Sequence, residues 1–157
     1  MLETRAIAWY AHGGDKIGEG AARLVLSSVM VRQGDIAGAR SEALAAVELM
    51  HDHPEALSGL ACAYLAAGQA SLALSSSGKA TSTLQRHGAA VYSEHAVRLV
   101  HARALAASGR DREAREYVEA AARLLVAEAA RIDNPDWRRA FLGEVREHQR
   151  LLAWAAR

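Results

Sequence analysis

The histidines, the cysteine and one Gly-Lys pair are where chemistry would be sought in this chain, and each is judged by what its chemistry requires. Ser77-Gly78-Lys79-Ala80-Thr81 has the ending of a phosphate-binding loop. Such a loop needs a glycine five residues before Gly78, a Ser or Thr directly after the lysine and a strand leading in. Positions 73 and 80 are alanines and no strand pattern precedes them, so Lys79 reads as a surface helix residue. His51-Asp52-His53 sets two imidazoles one residue apart. A zinc site takes three or four ligands, and no second Cys or His pair has matching spacing, so the triplet reads as an exposed loop between elements. Cys62 has no helix start or turn beside it to stabilise a thiolate, and no Gly-x-Ser-x-Gly elbow occurs. His101 falls between Val97 and Leu105 on an inward helical phase, where it reads as a buried histidine satisfied by a neighbouring backbone or hydroxyl group. Paired carboxylates are missing from the predicted interior. The sequence therefore predicts no catalytic, metal or cofactor residues, and a chain that is not an enzyme.

Composition narrows the rest. Nineteen basic against eighteen acidic residues give a charge of +1, which argues against nucleic acid or an anionic membrane as partner. Residues 1–97 hold seven basic and nine acidic side chains and residues 98–157 hold twelve and nine, a modest basic bias in the last third that reads as a solvated helix face. The single Cys62 and an N-terminus without an apolar core of signal-peptide type predict a cytoplasmic chain. Ala56 to Gly78 runs 23 residues without a charge, but Ser58, Gly59, Gly68, Gln69, Ser71 and Ser75 to Gly78 make it too polar for a membrane span. Abundant alanine and only two prolines favour helix, and no period-two pattern suggests a strand.

These helices must then be arranged, and a repeated skeleton says how. Glycine stands at 34, 68 and 109; alanine follows five residues later at 39, 73 and 114, and again seven later at 46, 80 and 121. Glycine reaches the positive φ of a tight turn, and the two alanines let helix backbones approach closely beyond it. The reading is an all-α superhelix of about three antiparallel hairpins at about 20–50, 54–87 and 93–131, within a single domain spanning 1–157. A helix over 2–12 precedes the hairpins, and a segment at 134–156 lids the open end of the stack.

Local signals support this partition. Asp35 is expected to cap the second helix of the first hairpin, with an apolar stripe of Leu44, Val47 and Met50. Pro54 and Glu55 open the second hairpin, whose later helix is weakened by Ser75, Ser76, Ser77 and Gly78. Ser93 is expected to cap the third hairpin. Asp111 is expected to cap a long helix from Arg112 to about Arg131, with Glu119 and Arg123 pairing on its surface. Trp137, Phe141, Leu142, Val145, Leu151, Leu152 and Trp154 form the last apolar face.

The spacing resembles the tetratricopeptide (TPR) repeat: two antiparallel helices in 34 residues, a turn glycine, an alanine soon after it, and proline near the boundary. Gly34 to Gly68 has that period. Gly68 to Gly109 is 41 residues, so seven are inserted around Arg86 to Ser93. The resemblance covers about residues 20–131. It departs from the pattern in having no tryptophan at the start of any first helix, Ser27, Ala61 and Ala102 at the small first-helix positions, and only Pro54 at a boundary. The tail from Ile132 through Leu142, with Val145, His148 and Leu151-Leu152, is similar to the closing segment of repeat regions in bacterial multidomain signalling proteins.

The resemblance implies a concave groove lined by the first helix of each hairpin: Leu24, Ser28 and Arg32, then Glu55, Ser58 and Cys62, then Leu99 and Arg103. Some members grip a C-terminal carboxylate with Lys and Asn at these places. Leu24, Ser28, Ser58 and Cys62 stand there instead, so that clamp is not expected. Arg32 and Arg103 would suit an extended or helical segment bearing an acid or two. The expected function is a protein–protein interaction scaffold of a bacterial signalling or regulatory protein, with a protein or peptide partner. Two alternatives stay open: a peptide-sensing domain that changes shape on binding, and self-association through the nearly uncharged second hairpin.

Overall fold

A computed structural model describes residues 2–87 and 94–157. The described chain is helical throughout: α1 Leu2–Gly13, α2 Lys16–Gln33, α3 Ile36–Met50, α4 Pro54–Ala66, α5 Ala70–His87, α6 Glu94–Ala107, α7 Asp111–Ala129, α8 Pro135–Gly143 and α9 Arg146–Ala155. Helices α2/α3, α4/α5 and α6/α7 form three hairpins, and α2, α4 and α6 lie side by side along one face. No described helix is long and apolar enough to cross a membrane.

One device closes every hairpin. Gly34 has φ +85°, its N–H bonds to Val31 O, and the Asp35 N–H reaches back to Met30 O at 3.0 Å. This paired closure satisfies two terminal carbonyls and needs a residue that tolerates the left-handed region. The same pair of bonds recurs at Gly68–Gln69 and Gly109–Arg110, and also at Gly14–Asp15, where α1 meets α2. That fourth turn lacks the alanines of the other three. It does share the Gly-Asp start of the first hairpin's turn, since Asp15 and Asp35 each accept from the N–H three residues on, at 2.9 Å. Asp15 also explains why α2 begins at Lys16 and not near Gly20.

The repeated alanines are the seams. Ala39, Ala73 and Ala80 and Ala46 are fully buried, and Ala114 and Ala121 keep 1 % of their surface. Ser27 Oγ donates to Ala39 O at 2.7 Å across the first hairpin, while Ala61 and Ala102 are fully buried at the corresponding small positions. Arg23 bridges Glu19 and Glu42, at 2.7 Å to each, and so ties α2 to α3. In the second hairpin, Leu57, Ala80, Leu84 and Val97 form a cluster that links α4, α5 and α6.

Several expectations are corrected. Asp111 does not cap α7: Arg110 holds the cap position without a side-chain bond, and Asp111 sits in the first turn, where its charge faces the helix N-terminus. Glu119 and Arg123 form no ion pair among the described residues. On α3, Leu44 is 40 % exposed, because Ala43 and Ala46 take the buried phase. Ser93, and most of the inserted stretch before it, lies outside the described residues. The serines of α5 do not break it: Ser76 and Ser77 are buried, and Ser77 Oγ bonds Leu74 O and lies 3.0 Å from His101 Nδ1.

The lid is two helices, α8 and α9, joined at Glu144-Val145. Asn134 caps α8 by accepting from Asp136 N and Trp137 N. Trp137 is 72 % exposed and does not join the apolar face. Leu151 of α9 is fully buried against Leu99, Val118 and Leu125, with Phe141, Leu142, Leu152 and Trp154 around them. Beside this core, His95 Nε2 contacts Glu128 Oε2 at 2.8 Å, and its ring meets that of His148 edge-on, 4.9 Å between centroids. His148 Nδ1 donates to Phe141 O at 2.7 Å. A polar joint of α6, α7, α8 and α9 thus seats the lid.

Candidate functional site

The inner faces of α2, α4 and α6 line a groove of about 540 Å³, and α9 walls its far side with Glu147 and Arg150. Seven of the eight predicted groove residues line it together: Leu24, Ser28, Glu55, Ser58, Cys62, Leu99 and Arg103. Arg32 does not. It lies one helical turn past Ser28, exposed at the end of α2 and beyond the cavity's edge. The floor follows from small residues, since a Cβ at Gly59 would stand 2.5 Å from Leu24 Cδ2. Ser58 is buried and Ser28, whose Oγ bonds Val25 O, is exposed on the wall.

A second cavity of about 410 Å³ adjoins this groove and shares Leu99, Arg103 and Arg150 with it; Ala153, Trp154 and Arg157 complete its lining. The α9 contribution was not foreseen. Its signal was present as Glu147, Arg150 and Trp154, spaced along one helical face beside the buried stripe of His148 and Leu151, with Arg157 just past the helix end.

The residues with chemical potential sit elsewhere or are quiet. Burial pushes the Cys62 thiol up, with the Arg103 guanidinium pulling the other way, so the thiol form is favoured. His101 is half-buried outside the groove, its ring 4.9 Å from that of Tyr117; burial first, and Arg110 second, hold its pKa below 6.5. Ser77, fully buried, has no approach for a substrate despite its contact with His101. Lys79 lies mid-way along α5, a continuous helix with no loop to cradle a phosphate. His53 caps α4, its Nδ1 accepting from Glu55 N at 3.4 Å, and His51 takes φ +50° in the turn. Among the described residues no group of three His, Cys, Asp or Glu side chains could hold a metal.

No family model matches the sequence, and no curated protein matches it. Solved structures do match in shape. A single-substitution variant of a putative kinesin light chain from Podosopora anserina, with nearly identical TPR-like repeats, superposes with a TM-score of 0.61 at 22 % identity, over 99 % of this chain and 82 % of that one. A second structure of that putative kinesin light chain gives 0.58 at 19 % identity, over 99 % and 92 %. The fold is TPR-like. An all-α superhelical repeat accounts for the phase of the glycines and alanines and for the alignment of α2, α4 and α6. At these identities the likeness speaks for the TPR-like fold alone.

Proposed function

We propose that this chain is a protein-interaction scaffold that holds a segment of a partner protein in its concave groove. The observation that supports this is the convergence of thirteen residues from three helices, with two more from α9, on one cavity of about 540 Å³. Its walls are apolar with a few placed polar groups, as a peptide-binding surface requires. Catalysis, a cofactor and a metal have no place in this reading. The scaffold belongs in the cytoplasm, which the single Cys62 supports, and serves a bacterial signalling or regulatory protein, which the resemblance of the tail supports. Site-specific photocrosslinking tests it. A crosslinker at Ser28 or Ala96 should capture partner peptides that one at Arg115 on α7 does not. Capture from Arg115 alone would place the binding face on the opposite side and remove the groove reading.

A further inference from the structure

The end of the groove nearest α9 has a character of its own. Arg103, Arg150 and Arg157 line the cavity there together with Leu99 and the half-buried Trp154, and no acidic side chain lines it. All three arginines are exposed, and none forms an ion pair among the described residues. This sets them apart from Arg23 and Arg98, each held by acids of their own hairpin. Glu147 and Glu55 stand further along, on the wider stretch of the groove. Unpaired guanidiniums grouped over an apolar floor keep their fork of donors available for carboxylates, and the floor takes the side chain between them.

We infer that this basic end, built by α6 and the lid helix α9, selects a partner segment in which acidic side chains flank a bulky apolar one. The inference rests on the groove reading and adds the chemistry of its occupant. Arg150 comes from α9 and Arg157 from just past its C-terminal cap, both outside the hairpins, so the lid is both a cap on the core and a recognition element. Its inner edge carries His148 and Leu151, its groove edge carries Arg150, and Arg157 follows just past its C-terminal cap.

Fluorescence anisotropy on the whole chain tests this with a synthetic peptide of leucines set between glutamate pairs, acetylated and amidated so that only side chains carry charge. Its twin has glutamine for every glutamate. The acidic peptide should bind at low salt, weaken as salt rises, and bind at least about tenfold better than the twin. Arg150→Ser with Arg157→Ser should erase that preference, whereas Arg115→Ser with Arg123→Ser, on α7, should leave it. Equal binding of the two peptides, or no binding of the acidic one at low salt, overturns the inference. Ser28→Trp separates the two readings. If it blocks both peptides while the twin binds as well as the acidic form, the groove stands and the acid preference falls. If the acidic peptide binds through the arginines in spite of Ser28→Trp, the anion site stands and the groove reading falls.

Discussion

Leu151→Ala tests how the lid is held. Leu151 is fully buried between α9 and the third hairpin, against Leu99, Val118 and Leu125. Truncating such a side chain costs roughly 2–5 kcal/mol in transfer and cavity terms. In a stack whose units touch only their neighbours, a loss at the end falls on the local opening of the end unit. The free energy for opening α9 should therefore drop by about 3 kcal/mol, which is about a hundredfold at 1.4 kcal/mol per decade. Amide hydrogen exchange reads this directly. Protection of the Leu152 to Ala155 amides should fall about a hundredfold, with the amides of α4 unchanged. Fluorescence gives a second reading: with Trp9 and Trp137, each 72 % exposed, replaced by Phe, the remaining Trp154 should shift to the red before helicity is lost. A uniform fall of protection in all helices would refute the local-opening reasoning, and no fall in α9 would refute the role of Leu151.

Other outcomes follow from single groups. Gly34→Ala, at φ +85°, should cost about 1 kcal/mol in chemical denaturation, while Gly13→Ala, inside α1 with open space around its Cβ, should be neutral or slightly stabilising. His101 is depressed below 6.5 by burial, so the unfolded chain binds its proton more readily than the folded one. Stability should hold above pH 6.5 and decline as pH falls below it, and His101→Gln should flatten that part of the curve; an NMR midpoint above 6.5 would contradict this. Cys62 should react with a disulfide reagent at neutral pH more slowly than a free thiol. Arg103→Ala should slow it further, since Arg103 is the group that draws its pKa down.

The hairpins were legible because a turn that needs positive φ and a seam that admits only a small side chain leave marks at fixed spacing, and Gly34, Ala39 and Ala46 are such marks. The groove came from the TPR resemblance carried along the repeat phase, and the inner faces of α2, α4 and α6 hold seven of the residues named in that way. Arg32 shows the limit of phase: it shares a helical side with Ser28, but the cavity ends before it does. What stayed hidden depends on contacts between distant segments. Nothing local tells that α9 turns back along α6 and α7 and brings Arg150 beside Arg103, and a stripe of Leu, Trp and Arg residues reads equally as solvated surface. The first turn was half legible, because Gly14-Asp15 repeats the Gly-Asp of the next turn without the alanines that made the others visible. Asp111 misled because an acid beside a turn glycine serves a helix start either as a cap or as a first-turn charge, and one residue of register decides which.

The buried alanines on α3, α5 and α7 have a mechanical consequence for the opposite side of the molecule. They set how near each second helix comes to its partner, and in a stacked repeat that spacing fixes the small rotation from one hairpin to the next. The width of the groove is thus tuned from behind, by side chains that do not line it. A methyl group added at Ala39, Ala73 or Ala80 would splay one hairpin and change the curvature of the whole ribbon, re-aiming Ser28, Ser58 and Arg103 without altering any of them. The shape of such a groove is a property of the ribbon's pitch as much as of its lining.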